Sequence, residues 1–426
     1  MAEPGSAAVS EAPSSGSEDS DCEEAAEQDD AALTEEWARE LLAEVGVVNA
    51  DEVMKLTVLL NFQLTLSPGP SGVPSRRGQR AEPRARRHRA LRGGRRAALP
   101  AASRQAAPRD PFGRLFVAEA QFDTREILFY TELAPALNRL AEEALGPGSG
   151  LPIPRCVKAR LPDEIGGDSE LVLEDVTSHG YEAVDFAEGL TVARARAALH
   201  AAARLHALSL ALREREGPLD QRFDFLFPCE RAAAGYLRLV RRGLPQLQAF
   251  LQGRPDCEPE AAAVAALAAR APALLSTLLQ PAEPAPLAHA DFWSGNLLFR
   301  ETEGKCECIA LDWQMVSLGR PMDDVALLML SSLTPEIRRS MGDSLIEEYG
   351  ERLEAECARL GVAGAGAAAR RGLRADWARA ALRALLLCAG SVDVALSEPR
   401  AERRLLEAVR DLRAGAVLDL QPAAAD

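Results

Sequence analysis

What the chain of 426 residues lacks excludes several classes of protein. It has no run of 18 apolar residues, and its N-terminus is acidic instead of beginning with Lys or Arg, so we expect neither a membrane span nor a secretory signal. Its eight Cys are scattered without the spacing of a disulfide framework, which predicts a reducing compartment, the cytoplasm. Cys306 and Cys308 are too close together for a zinc site, so alternation along a β-strand is expected there.

Basic residues are missing from the first 36 residues, which carry twelve acids and no Lys or Arg. The formal net charge of −15 therefore falls to about −3 for the rest of the chain, and nucleic acid is not an implied partner of the folded part. Residues 1–33 also have almost no large apolar side chain, so we expect them to form a disordered acidic tail. The overall composition, 47% hydrophobic and 27% charged, is that of an ordinary soluble globular protein.

Lysine is absent between Lys55 and Lys158. Within this gap, residues 68–109 hold twelve Arg and one acid, without a helical or alternating apolar pattern. We interpret residues 67–109 as a flexible basic insert that trypsin cuts readily. Binding of nucleic acid or an acidic partner by the Arg run, or its association with the acidic tail, is the alternative.

Three motifs that carry chemistry follow one another between residues 287 and 330. They are His289-x-Asp291-x-x-x-x-Asn296, then Asp312 at the end of an apolar run, and then Gly319-x-Pro321-x-x-Asp324. The first motif is specific, because the chain has only five His. Together they predict a phosphoryl-transfer site.

The geometry of this site follows from a predicted β-hairpin. Leu297–Glu301 and Cys306–Asp312 are short apolar runs around a turn that contains Gly304. Folding about that turn pairs residues whose numbers sum to about 607, which places Asn296 next to Asp312. Mg²⁺ prefers one or two such oxygen ligands plus nucleotide phosphates. Asp291 on the preceding loop would orient the acceptor hydroxyl and take its proton, although a solvated acidic hairpin is the alternative.

These residues resemble the choline-kinase-like and aminoglycoside-phosphotransferase-like small-molecule kinases, and most closely the CHK or ecdysteroid-kinase-like group. The signatures of that group look like H-G-D-x-W-x-x-N, I-D-F-Q and G-x-P-x-x-D-L. Here they stand as HADFWSGN (289–296), LDWQ (311–314) and GRPMDDV (319–325). Ala290 replaces the usual Gly, a small-for-small change that we expect to be tolerated. A protein kinase would have Arg at this position and a longer segment between Asp312 and Asp324, so protein-kinase activity is not expected.

The resemblance implies a fold, two cofactors and a set of roles. The fold is α+β, a protein-kinase-like bilobal fold with a small N-lobe sheet, which the insert is expected to disrupt, and a large, mainly helical C-lobe. ATP and Mg²⁺ are the implied cofactors, and a small hydroxylated molecule is the implied acceptor. The implied roles are catalysis for His289 and Asp291, the latter as base, Mg²⁺ binding for Asn296 and Asp312, and ordering of the catalytic loop for Asp324.

The N-lobe by resemblance covers residues 34–176, interrupted by the insert. A helix from about Ala118 to Leu140 carries Glu126, which in the family pairs with a Lys on a strand. That Lys is missing here, so a solvated helix acid is the alternative for Glu126. Two strands, Ile153–Ala159 and Leu171–Val176, are predicted with a turn over Pro162–Asp168. The end of the second resembles the family's hinge, whose backbone would hold adenine at Glu174, Asp175 and Val176.

The C-lobe by resemblance covers residues 177–420, and apolar spacing of three and four predicts that it is mainly helical. Gly361–Ala368 is predicted to be a loop. His200 and His206 are six residues apart on the first of these helices, off a shared face, and are interpreted as packing residues and not as a metal pair. The predicted helices are Thr191–Leu212, Tyr236–Leu251, Ala261–Leu279, Pro335–Leu360, Asp376–Leu387 and Arg403–Ala414.

Three functions compete at this point. The first is an ATP- and Mg²⁺-dependent kinase of a small hydroxylated molecule, which the intact motifs favour. The second is a pseudokinase or interaction protein that has lost its nucleotide clamp, and the third is a splice form whose residues 67–109 destroy the N-lobe. The missing Lys favours the last two. The acceptor and the oligomeric state do not follow from the sequence.

Overall fold

The computed structural model describes residues 122–162, 169–226, 229–396 and 398–421. The predicted acidic tail, the basic insert and the turn at residues 163–168 lie outside these ranges. Within them, helices predominate, as the predicted α+β class requires. The α-helices are α1 (Phe122–Leu128), α2 (Ala134–Leu145), α3 (Val192–Glu216), α4 (Leu219–Arg222), α5 (Cys229–Gln252), α6 (Glu258–Leu278), α7 (Pro321–Ser332), α8 (Pro335–Arg359), α9 (Ala363–Gly390), α10 (Val392–Leu396) and α11 (Pro399–Ala414).

The strands of the described residues form three small antiparallel sheets. One contains two strands from the predicted N-lobe, and the other two sheets lie around the motifs. The pairings are β1 (Cys156–Arg160) with β2 (Glu170–Leu173); β5 (Leu297–Thr302) with both β3 (Glu182–Ala183) and β6 (Lys305–Ala310); and β4 (Leu287–Ala288) with β7 (Ser317–Leu318).

Helix α3 is the centre of the helical part. Thr191 caps it by accepting a hydrogen bond from Arg194 N (3.3 Å). Alanines occupy many of its buried positions, and such small side chains let α2, α8 and β6 approach its axis from different sides. Helix α7 is also enclosed, with eleven of its twelve residues buried. The acids at its N-terminus are therefore held in fixed positions behind the motifs.

Several predicted boundaries need correction. The helix predicted to end at Leu140 continues to Leu145, and the second predicted strand ends at Leu173, so Val176 lies in a 3₁₀ turn. The predicted loop over residues 361–368 is wrong, because α9 begins at Ala363. One of its glycines serves packing, because a Cβ on Gly366 would lie 2.5 Å from the Cβ of Cys357 on α8. Gly361, with a φ of 82°, does mark the turn before α9.

One helix among the described residues, Pro255–Leu278, is long and apolar enough to cross a membrane by length and composition. It comprises α6 and the 3₁₀ turn before it. Val264, Leu267 and Leu274 are buried in the hydrophobic core. Ala262, Ala266, Ala269 and Ala273 are among its exposed positions, and these alanines contribute to its apolar composition.

Candidate active site

The β5–β6 hairpin has the predicted register. Leu297 pairs with Ala310 and Thr302 pairs with Lys305, so the paired numbers sum to 607. One step beyond the strands, Leu311 N donates a hydrogen bond to Asn296 O (2.9 Å). Asn296 and the residue that follows Leu311, Asp312, are therefore brought together as predicted. Both lie at the open end of the hairpin, where the strands are joined to the loops of the site.

The loop before the hairpin carries a strained residue. Ala290 has a φ of 67°, the left-handed region that favours glycine. Asp324, on the first turn of α7, holds this conformation with both carboxylate oxygens. Its Oδ2 accepts from His289 N (2.8 Å) and its Oδ1 accepts from Ala290 N (2.9 Å). The carboxylate thus fixes the backbone that leads into Asp291, in the position that the resemblance implies for it.

Two further side chains extend this network and were missed by the sequence analysis. The Nε2–H of His206, on α3, donates to Asp324 Oδ2 (3.1 Å). The other ring nitrogen shares a hydrogen bond of 2.6 Å with the hydroxyl of Tyr349, on α8. His206 is therefore not only a packing residue. A buried His on an Ala/Leu helix needs polar partners, and that requirement was the available signal.

Asp324 is ionised within this network. Burial alone would raise its pKa, but the hydrogen bond and charge of His206, together with the backbone hydrogen bond from His289, outweigh burial and lower the pKa. An ionised carboxylate makes stronger hydrogen bonds to backbone N–H groups than a neutral acid does. The loop conformation is therefore held by charge-assisted bonds.

His289 is buried, and both of its ring nitrogens are used within the protein. Its Nδ1 accepts from Asp291 N (3.3 Å), so its Nε2 carries the proton and donates to Leu311 O (2.9 Å). Burial lowers the pKa of His289, against the charges of Asp324 and Asp291, which favours this neutral form. The geometry makes His289 a positioning residue that joins the loop to the hairpin.

The Asp291 carboxylate is half-buried and points toward Asn296. The Asn296 amide donates to Asp291 O and to Asp291 Oδ2, both at 2.9 Å. Burial raises the pKa of Asp291, while His289 and the Asn296 hydrogen bond act in the opposite direction. The Oδ1 atom is not used by these bonds. A carboxylate with a raised pKa and a fixed orientation is suited to accept a proton.

A second carboxylate cluster lies beside Asp291 and consists of Glu126 and Asp312. Glu126 is 4% exposed, so the solvated helix acid considered above is wrong. Its Oε1 accepts from Trp313 N (3.2 Å), which links α1 to the chain after Asp312. Burial raises the pKa of Asp312 well above its usual range, and the charges of Glu126 and Asp291 raise it further. A cation bound to Asp312 would offset the charges of Glu126 and Asp291 and favour its ionised form.

The donor set fits Mg²⁺. The oxygen donors there are the Asp312 carboxylate and the amide of Asn296, whose nitrogen is directed to Asp291. Asp312 has a φ of 61°, a conformation that Asp tolerates, and its Oδ2 also accepts from the Gln314 amide (3.3 Å). The described residues contain no group of three or more His, Cys, Asp or Glu arranged to hold a metal. Two protein ligands suit Mg²⁺, which takes the rest from phosphates and water.

The segment predicted to hold adenine is stabilised by its own backbone. Glu174 N donates to Arg155 O (2.9 Å), and Val176 O accepts from Tyr181 N (3.3 Å). Asp175 caps the 3₁₀ turn after it, because its Oδ1 accepts from Thr177 N (2.8 Å). The Val176 N–H and the Glu174 carbonyl are not used by these bonds, and they are the groups that adenine would need.

Two charged residues near the cluster have other partners. Lys158, the first lysine after the gap, lies on β1 and pairs with Glu170 (3.5 Å). Arg125 is buried on α1 and donates to Val316 O, and burial lowers its pKa to about 10. Lys158 therefore pairs with an acid of its own sheet. Arg114, a cation shortly before the Glu126 helix in the sequence, lies outside the described residues.

Asp323 was also missed, although it precedes Asp324. It forms a capping box with Arg320 and an ion pair with Arg379 on α9. The turn before it needs glycine, because a Cβ on Gly319 would lie 2.9 Å from Ala288 Cβ. The two neighbouring acids thus have different partners. Asp323 anchors α7 to α9, and Asp324 anchors the loop at Ala290 to α7.

The chain is similar to known kinases. The model of the ecdysteroid kinase-like family matches residues 106–362. The crystal structure of choline kinase from Cryptosporidium parvum Iowa II is 13% identical, with 68% of this chain and 80% of that chain covered and a TM-score of 0.36. A choline/ethanolamine kinase family protein from Mesorhizobium loti is 18% identical, with 65% and 83% covered and a TM-score of 0.29. No curated protein matches the chain.

Proposed function

The chain belongs to the ecdysteroid kinase-like family, and from this premise we propose that it is an ATP- and Mg²⁺-dependent phosphotransferase acting on a hydroxyl of a small molecule. The observation that carries the proposal is the arrangement around Asp291. A half-buried carboxylate with a raised pKa is held by Asn296 on a loop that Asp324 fixes, beside a carboxylate cluster suited to a cation.

In the proposed reaction, Asp291 accepts the proton of the acceptor hydroxyl as its oxygen forms a bond to the γ-phosphorus of ATP. The bond between that phosphorus and the leaving oxygen of ADP breaks. Asn296 keeps one oxygen of Asp291 occupied, which directs the other oxygen to the acceptor. Because the pKa of Asp291 is raised, the base is lost by protonation at a higher pH than for an ordinary Asp.

Asp312 and Asn296 would hold Mg²⁺, with Glu126 close behind them. A bound Mg²⁺ neutralises phosphate charge in the transition state. Adenine would bind the backbone of Glu174–Val176. The absence of Lys between residues 55 and 158 supports a weak nucleotide site, since no Lys of that segment neutralises the phosphates. We place the protein in the cytoplasm, because Cys156, Cys257, Cys306, Cys308, Cys357 and Cys388 are all free thiols.

The proposal is tested by comparing the wild type with Asp291→Asn. Nucleotide binding is measured as the Tm shift caused by ATP with and without Mg²⁺, and phosphoryl transfer is measured on a panel of small hydroxy compounds. The variant should keep the Tm shift and lose about 10²–10⁴-fold in turnover, the size of a general-base contribution. Asp343→Asn is the matched control, since that carboxylate is 90% exposed on α8.

Two outcomes contradict the proposal. Equal loss of nucleotide binding and turnover in Asp291→Asn would make Asp291 a structural or metal residue. A wild type that binds ATP without transferring its phosphoryl group, or does not bind it, would identify the chain as a pseudokinase or a form with a destroyed nucleotide site.

A further inference from the structure

The hydroxyl of Tyr130 is buried beside the carboxylate cluster without a hydrogen-bond partner. Tyr130 is 4% exposed, and its ring meets Phe129 edge-on, with centroids 5.2 Å apart. Among the described residues, no atom hydrogen-bonds its hydroxyl. An unpaired buried hydroxyl destabilises the fold, so its retention in an otherwise well-partnered site needs a reason.

The local backbone places this hydroxyl. Between α1 and α2 the chain makes one π-helical turn, Phe129–Leu133, closed by the bond from Ala134 N to Phe129 O. Such turns are rare, and they occur frequently at functional sites because the extra residue redirects the side chains around it. Here the turn begins three residues after Glu126 and contains Tyr130.

Tyr130 is adjacent to the metal side of the site. The ring of its neighbour Phe129 stacks on Trp313, with centroids 4.0 Å apart and planes inclined by 5°. Trp313 follows Asp312 and donates its backbone N–H to Glu126. Burial raises the pKa of Tyr130 well above its usual range, and the charges of Glu126 and Asp312 raise it further, while the Trp313 side chain acts in the opposite direction. The indole N–H of Trp313 itself donates to Ala310 O (3.3 Å), so the Tyr130 oxygen keeps capacity to accept. The neutral hydroxyl therefore shares a region with two carboxylates that need a cation.

We propose that Tyr130 belongs to the outer shell of the divalent-cation site, where its hydroxyl oxygen accepts a hydrogen bond from a water molecule bound to the cation that Asp312 holds. This inference rests on the proposed function. Mg²⁺ keeps several of its waters in protein sites, and those waters donate hydrogen bonds. The hydroxyl oxygen then accepts a hydrogen bond only from the hydrated ion. The destabilisation caused by burying the hydroxyl unpaired is offset only when the ion binds.

Tyr130→Phe tests this directly, because it removes the hydroxyl and keeps the ring that packs on Phe129. Tyr349→Phe is the matched control, since its hydroxyl already has a partner in His206. In the free protein, Tm should stay equal or rise for Tyr130→Phe and should fall for Tyr349→Phe. The Mg²⁺ concentration that gives half of the ATP-dependent Tm shift should rise about 10-fold for Tyr130→Phe, the lower end for lost outer-shell partners. Mn²⁺ binding followed by electron paramagnetic resonance gives the same affinity without turnover.

Other results overturn the inference. If Tyr130→Phe lowers the Tm of the free protein as Tyr349→Phe does, the hydroxyl has a structural partner. If it leaves the Mg²⁺ and Mn²⁺ affinities unchanged, the hydroxyl does not contact the hydrated ion. Absence of any Mg²⁺-dependent shift in the wild type would be a failure of the proposed function, which is a different result from a normal shift that Tyr130→Phe leaves intact.

Discussion

Within one site, the loop around Asp291 and the cluster around Asp312 are completed in different ways. In the loop, Asp324 satisfies two backbone N–H groups, His206 satisfies Asp324, and both nitrogens of His289 are bonded. In the cluster, the pKa of Asp312 is raised and the hydroxyl of Tyr130 is unpaired among the described residues. The loop around Asp291 thus has its hydrogen-bond partners within the protein, whereas the cluster around Asp312 would be completed by a ligand.

The two sides therefore differ in when their unfavourable arrangement is offset. The loop is stabilised in the free protein, whereas the cluster would be stabilised only when a cation binds. The loop keeps a left-handed Ala290 because α3 and α7 hold it before any ligand arrives, which suits a base that must already be oriented. The cluster stores repulsion between carboxylates, which a bound cation relieves. Binding energy for the cation is thus built into the free protein, and three substitutions separate the two arrangements.

The largest effect is expected on the loop side. Asp324→Ala leaves His206 and the N–H groups of His289 and Ala290 without an acceptor, so the free energy of unfolding should fall by about 3–5 kcal/mol. Because the pKa of Asp324 is lowered in the fold, the wild type keeps this stabilisation above the ordinary Asp pKa and loses it only as pH falls through the lowered value. Urea unfolding measures the loss.

Asp343→Asn, on the exposed surface of α8, is the control for removal of an acid and should change the free energy of unfolding by less than about 0.5 kcal/mol. A loss below about 1 kcal/mol in Asp324→Ala would mean that the loop holds its conformation without the carboxylate, and the contrast between the two sides would disappear.

On the cluster side, we expect a substitution to raise the free energy of unfolding instead of lowering it. Asp312→Asn removes one of three repelling charges and keeps a side chain that tolerates a positive φ, so the free protein should gain about 1 kcal/mol at neutral pH. The raised pKa of Asp312 also means that wild-type stability falls as pH rises through that value, a trend that the variant should lack. The Mg²⁺-dependent part of nucleotide binding should be lost.

Thermal unfolding over a pH series, with and without MgATP, measures all three effects on Asp312→Asn. A destabilised variant that still shows the Mg²⁺-dependent shift would make Asp312 a structural residue and would leave the cluster without its proposed ligand.

The smallest effect is expected from a substitution that tests the backbone strain of the loop. Ala290→Gly should raise the free energy of unfolding by about 0.5–1 kcal/mol, because glycine adopts the left-handed region without the steric penalty of a Cβ. Ala198→Gly, at a buried position inside α3, should lower it by at least as much. If both substitutions destabilise, Ala290 is not strained.

Sequence reasoning reached the parts of the site that depend on local spacing. The hairpin register follows from the position of one turn. The pairing of Asn296 with Asp312 then required only two strands. Such features are encoded within about 20 residues of each other, where turn chemistry decides the geometry.

Features that join distant elements could not be read in this way. The partner of His206 is 118 residues away, and that of Tyr349 is 143 residues away, so neither bond has a local signal. The π-helical turn at Tyr130 contains no Gly or Pro, although Pro135 follows it and cannot donate to the carbonyl of Thr131. The predicted loop at residues 361–368 was wrong for a similar reason, because Gly366 is required by its close contact with Cys357 on α8 and not by a turn in the chain.

The hydrogen-bond network of Asp324 also constrains the order in which parts of the protein fold. Its partners come from α3, from the loop at His289 and, through His206, from α8, which closes contacts across 118, 35 and 143 residues. Contacts between residues so far apart in the sequence are unfavourable early in folding, because the entropy cost of closing a long loop precedes the stabilisation that the contact gives. The loop that carries Asp291 can therefore be fixed only after most of the helical part has assembled. A partly synthesised chain that ends before Tyr349 lacks the outermost partner, so the proposed site is completed late, after the surrounding helices have packed.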